Sequence, residues 1–115
     1  MENQALFEKV LNTFDNNDSD GLLELMIDDF EWDMVGEQIV RGKEQVREMF
    51  ANMNGSEMIS CTKDLKLLDG DKGACHGTVK MKDTNGVISE MYYCDLYVFE
   101  GGLLKKMVTF SVKKG

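Results

Sequence analysis

An α+β fold, with helices packed on one face of a mostly antiparallel sheet, is predicted by three features of the sequence. Apolar residues recur at helical spacing over the first part of the chain. They alternate at strand spacing over most of the rest, and the alternating stretches are joined by Asp-Gly, Asn-Gly and Gly-Gly turns. No proline, linker or repeat interrupts the 115 residues. One domain over residues 1–115 is the expectation at this length.

The elements follow in order. Phe7, Val10, Leu11 and Phe14 stand at i, i+3, i+4, i+7, the stripe of an amphipathic helix over Asn3–Phe14. Asp15-Asn16-Asn17-Asp18 breaks it, and Ser19 is placed to cap a short second helix, Asp20–Ile27. Phe30 to Val35 alternates, with Phe30, Trp32 and Met34 sharing one face of a strand. A polar connection through Gly36 and Glu37 leads to a third helix carrying Val46, Met49, Phe50 and Met53, with Asn54-Gly55 as its stop. Four strands are then expected: Met58–Leu68, Gly73–Lys82, Val87–Phe99 and Leu103–Val112. Thr84-Asn85-Gly86 forms the hairpin between the middle two.

Charge and cysteine content narrow the function classes. The chain has 13 Lys and Arg against 21 Asp and Glu, a formal charge of −8, and 43% apolar residues. Eleven of the acids and one base fall in residues 1–40. That distribution argues against nucleic acid, whose binding depends on Lys and Arg neutralising phosphate. The apolar runs are only a few residues long, too short to span a bilayer, and the N-terminus lacks a signal-peptide pattern. A cytoplasmic location is the expectation. Cys61, Cys75 and Cys94 are widely spaced, without C-x-x-C, and the one histidine, His76, adjoins Cys75 in a strand where neighbours face opposite ways. They read as small buried residues, with no metal site and no organic cofactor implied.

Two blocks carry a family resemblance: Asp28 to Gly36 with Val40 to Phe50, and Asp95 to Leu104. Together with the element order, they resemble the SnoaL-like and ketosteroid-isomerase-like branch of the nuclear-transport-factor-2-like superfamily. The resemblance implies a cone in which three N-terminal helices pack on a strongly curved, mostly antiparallel sheet that encloses an apolar pocket. It also implies a small apolar ligand and a homodimer formed through the outer sheet face, where Cys94, Leu96 and Val98 alternate with the pocket set.

Carried over residue by residue, the resemblance makes Asp95 the oxyanion-side carboxyl, in an apolar strand where a charge is costly unless paired, bonded or protonated. Neutral pocket carboxyls of this kind are known in ketosteroid isomerase. The base position falls on Asp33 when counted back from Gly42 and on Met34 when counted forward from Asp28-Asp29. One residue of difference reverses the facing in a strand, and a bulge near Val35-Gly36 would restore Asp33. His76 is a second candidate base. The family's first-helix tyrosine has no counterpart, since the first Tyr is Tyr92. Trp32, Met34, Tyr93, Tyr97 and Met107 are expected to shape the pocket wall. Two functions follow: binding of an apolar ligand, or cofactor-independent isomerase, cyclase or lyase chemistry by proton transfer at a carbonyl compound, with Asp95 and either Asp33 or His76.

Overall fold

A computed structural model describes residues 2–52 and 56–114. Helices α1 (Glu2–Asp15) and α2 (Ser19–Glu24) precede strands β1 (Met26–Met34) and β2 (Gln38–Arg41), and then helix α3 (Lys43–Asn52). Strands β3 (Glu57–Cys61), β4 (Leu65–Asp69), β5 (Lys72–Lys82), β6 (Ile88–Glu100) and β7 (Leu103–Lys113) complete the chain. Seven strands form one sheet in the order β2-β1-β7-β6-β5-β3, with β4 pairing β5; β1 and β7 are parallel and the other pairs antiparallel.

The expected helix stripes find their partners. Phe7, Val10 and Leu11 of α1 and Leu22 and Leu23 of α2 are buried with Phe30, Trp32, Tyr97, Phe99, Leu104 and Met107 of the sheet. Phe7 meets Tyr97 edge-on at 5.4 Å and Phe99 at 6.0 Å between centroids, an aromatic arrangement that holds α1 over β6. No helix among the described residues is long and apolar enough to cross a membrane.

The strongly curved cone does not hold. The sheet is an open path that is neither closed nor strongly curled, and its ends are β2, four residues long, and β3, five residues long. Closing a sheet requires its two edges to pair, and these two pair only inward, with β1 and β5. The helices lying across the inner face, rather than a closed sheet, create the cavity described below.

Local differences have local causes. The cap of α2 is Asp18, whose carboxylate accepts from the Gly21 amide at 2.9 Å, not Ser19. The helix ends at Glu24, because the Leu25 carbonyl accepts from Leu104 N at 2.7 Å and Met26 already pairs with Leu104. Gln38–Arg41 forms a strand against β1 where only a connection was expected. The expected Met58–Leu68 strand is two strands, broken at Thr62–Asp64, and both pair with β5. Met53 and Asn54-Gly55, the expected end of the third helix, lie outside the described residues.

Candidate functional site

Register decides which side chains share the inner face, because residues paired across strands point the same way. One inner row runs Trp32–Met107–Tyr97–Gly73, and the next runs Met34–Thr109–Asp95–Cys75. Tyr93 lies opposite Gly77 and Ser111. The inner face of β5 is thus Gly73, Cys75 and Gly77, three small residues opposite Tyr97, Asp95 and Tyr93. The room left by Gly73 is taken by the Phe7 ring and that left by Gly77 by the Thr62 backbone.

Helices α1, α2 and α3 roof this face over a cleft of about 910 Å³. Its apolar wall includes Leu11, Phe14, Trp32, Met34, Met49, Phe50, Val79, Met81 and Met91, and Asp95 and Thr109 also reach it. Trp32 is the centre of the aromatic group, edge-on to Phe14 at 5.9 Å, Phe30 at 6.2 Å and Phe50 at 6.1 Å.

Asp95 is a half-buried carboxyl in the wall of the cleft. Burial pushes its pKa up to about 6, against hydrogen bonds from Thr109 and Tyr97 that favour the charged form. Thr109 Oγ1 donates to Asp95 Oδ1 at 2.7 Å and accepts from Trp32 Nε1 at 2.8 Å. The indole has only a donor to offer, so it commits the Thr109 proton to the carboxylate. Oδ2 receives only a long contact, 3.4 Å, from the Tyr97 hydroxyl. The less firmly bonded oxygen of Asp95 is therefore Oδ2.

Tyr93 is engaged differently. Its hydroxyl donates to the Thr62 carbonyl at 2.7 Å and is approached by Cys61 Sγ at 3.2 Å and Cys75 Sγ at 3.5 Å. Burial raises all three groups, which keeps the thiols and the phenol protonated. Protein partners thus fill the Tyr93 hydroxyl, and its ring is what it offers the cleft. The three cysteines are free, and no group of three His, Cys, Asp or Glu among the described residues is placed to hold a metal ion.

The remaining candidates divide between the two faces. Trp32, Met34, Tyr93 and Tyr97 line the cleft with Asp95. Met107 lies fully buried between Trp32 and Tyr97, as core under the site. Asp33 pairs with Ile39 and Val108 on the outer face, and the position beside the Asp95 row is Met34. The irregularity in β1 lies between Met26 and Glu31, not near Val35-Gly36. His76 is exposed on the outer face opposite Cys94 and Leu65. The structure therefore does not bring Asp33 or His76 to Asp95. Thr109 and the thiols of Cys61 and Cys75 were missed in the sequence; Thr109 had a signal, standing two residues from Met107 on the same face.

Residues 7–107 match the sequence profile of the SnoaL-like domain. Among solved structures, an LEH-like epoxide hydrolase from Mycobacterium tuberculosis is similar, with a TM-score of 0.83 at 18% identity over 96% of this chain and 83% of that one. A putative SnoaL-like polyketide cyclase from Mesorhizobium loti gives 0.78 at 17% identity, covering 95% and 98%. A computationally designed 17-OHP binder gives 0.80 at 17% identity, covering 95% of each. At these identities the likeness is one of fold. No curated protein matches the chain in sequence.

Proposed function

The chain belongs to the SnoaL-like domain family, whose members build small-molecule pockets, and we propose that it binds a small, largely apolar molecule in the cleft under α1–α3. Its ligand presents one polar group to Asp95. The observation that carries this reading is a half-buried carboxyl, Asp95, on the same inner face as Trp32 and Tyr97, in a cleft whose apolar wall is built of aromatic, aliphatic and methionine side chains. A cavity of about 910 Å³ suits a ligand of drug or steroid size. Methionines 34, 49, 81 and 91 suit a wall that adapts to shape.

The alternative reading, cofactor-independent isomerase or cyclase chemistry, gives Asp95 the task of proton donor or oxyanion partner. Its value near 6 favours that task. A second group is then required, and Asp33 and His76 stand on the outer face. Ligand binding without proton transfer needs no such partner and is the reading we adopt.

The outer sheet face completes the proposal as the contact of a homodimer. Tyr92, Leu96, Phe110 and Val112 are exposed there on the adjacent strands β6 and β7. The Glu31–Lys106 and Glu90–Lys80 ion pairs are at 3.2 and 3.8 Å. A second copy, turned about a two-fold axis, can cover this face with the same residues.

Titration with Nile red, a neutral apolar dye, tests the ligand reading. Saturable binding is expected, and Val79→Phe, which places a ring in the cleft, is expected to abolish it. Absence of saturable binding, or equal binding by the variant, would overturn the reading.

A further inference from the structure

The charged groups around the cleft bear on what polar group its ligand carries. Asp15, Asp18, Glu37, Glu48, Glu57 and Asp95 line it, and the one basic side chain among the described lining residues is Lys63. Lys63 is already committed, with Nζ at 2.6 Å from both carboxylate oxygens of Asp15. Among the described residues, no Lys or Arg forms an ion pair with Asp95. Its neighbours are Tyr93 and Tyr97 on β6, Cys75 on β5, Cys61 on β3, Thr109 on β7 and the uncharged Met34 on β1, so the protein supplies it with hydrogen-bond donors and no counterion.

We propose that the cleft selects a hydrophobic cation, an amine or quaternary ammonium group carried on an apolar body, with Asp95 as its counterion. This rests on the ligand-binding reading above and names the chemistry of the ligand's one polar group. A buried carboxylate is costly to leave unpaired, and a ligand cation at Oδ2 supplies the missing charge. The aromatic rings of Trp32, Phe14 and Phe50 add surface that attracts a cation. The acidic lining concentrates cations and repels carboxylates and phosphates. A neutral carbonyl ligand meets the opposite situation, because it needs a proton on Oδ2 and finds lone pairs there once Asp95 is ionised.

Three rigid compounds with one skeleton separate these possibilities: adamantylamine, adamantanone and adamantane carboxylate. Trp32 is the sole tryptophan and lies in the cleft wall, so its fluorescence reports each titration. At about pH 8 the amine is expected to bind about tenfold or more tightly than the ketone, and the carboxylate weakest. The preference for amine over ketone is expected to shrink as the pH falls through about 6 toward about 5, a measurement on the unaltered protein. Asp95→Asn is expected to remove the same preference at about pH 8. A ketone bound as tightly as the amine at about pH 8, or a preference unchanged by pH and by Asp95→Asn, overturns the cation proposal and leaves the pocket reading standing. No binding of any of the three, together with no saturable binding of Nile red, overturns both.

Discussion

Asp95 combines two features that ordinarily exclude each other. It stands in an apolar strand largely removed from water, and it carries an ionisable carboxyl with no cationic partner among the described residues, held by the Thr109 hydroxyl and only loosely by Tyr97. Its folded value, about 6, lies above the ordinary 3.8, so the folded protein holds this proton more tightly than the unfolded chain. Stability from this residue is therefore full below the ordinary value and is lost as the pH rises through about 6. The difference amounts to about 3 kcal/mol at alkaline pH. Asp95→Asn, measured by urea denaturation, is expected to match the parent protein near about pH 4 and to exceed it in stability by up to about 3 kcal/mol near about pH 8. A difference that does not change with pH would mean that Asp95 is not desolvated as described. The prominence of Asp95 was legible in the sequence because a charge in an apolar strand must be explained. The role of Thr109 was not, since the bridge it makes needs Trp32, 77 residues away on β1, to reach the β6–β7 hairpin.

Among the elements, β5 places the greatest demands on its sequence. Gly77 faces the crossing from β3 to β4, where a Cβ atom would run into the Thr62 carbonyl. Thr62 is fixed by three further bonds, from its amide to the Thr78 carbonyl at 2.8 Å, from the Thr78 amide to its hydroxyl at 2.9 Å, and from the Tyr93 hydroxyl to its carbonyl. Because Tyr93 holds that carbonyl while the Thr78 backbone holds the amide and hydroxyl of the same residue, it cannot move aside easily. Gly77→Ala is expected to cost about 2 kcal/mol or more in a denaturation experiment, with Ala74→Gly on the outer face as a milder control. Equal effects of the two would remove the steric argument. Element by element, the sequence was most legible where periodicity is long. The stripe of α1 and the alternation of β6 and β7 reappear as buried rows. It was least legible over 36–41, where β2 offers only four residues of pattern, and across Met58–Leu68, where the break depends on Gly77 in another strand. The ambiguity between Asp33 and Met34 has the same origin, because the irregular stretch of β1 after Met26 sets the phase of everything up to Met34.

At the scale of the whole molecule, the sheet has two faces with different tasks. The inner face carries the cleft, and the outer face carries Tyr92, Leu96, Phe110 and Val112 in the open. Sedimentation at micromolar concentration is expected to find a dimer, and Phe110→Glu is expected to dissociate it while leaving ligand binding in place. A strictly monomeric parent protein would remove the homodimer. The family and the three helices were legible from two sequence blocks and the sequence of elements, whereas the order of strands across the sheet, with the last beside the first, was not. The degree of sheet curvature was not, because it depends on whether distant edges meet, and no local pattern encodes that.

The position of β7 has a consequence for how the molecule is made. It is the last strand in the chain, yet it sits between β1 and β6 and is the sole parallel neighbour of β1. During synthesis, α1, α2 and the β1–β2 hairpin emerge early, and the edge of β1 that pairs with β7 stays open until residues beyond Leu103 arrive. Contacts of such long sequence separation form slowly. The centre of the sheet is thus completed last, by a strand that must enter between two others rather than add at an outer edge.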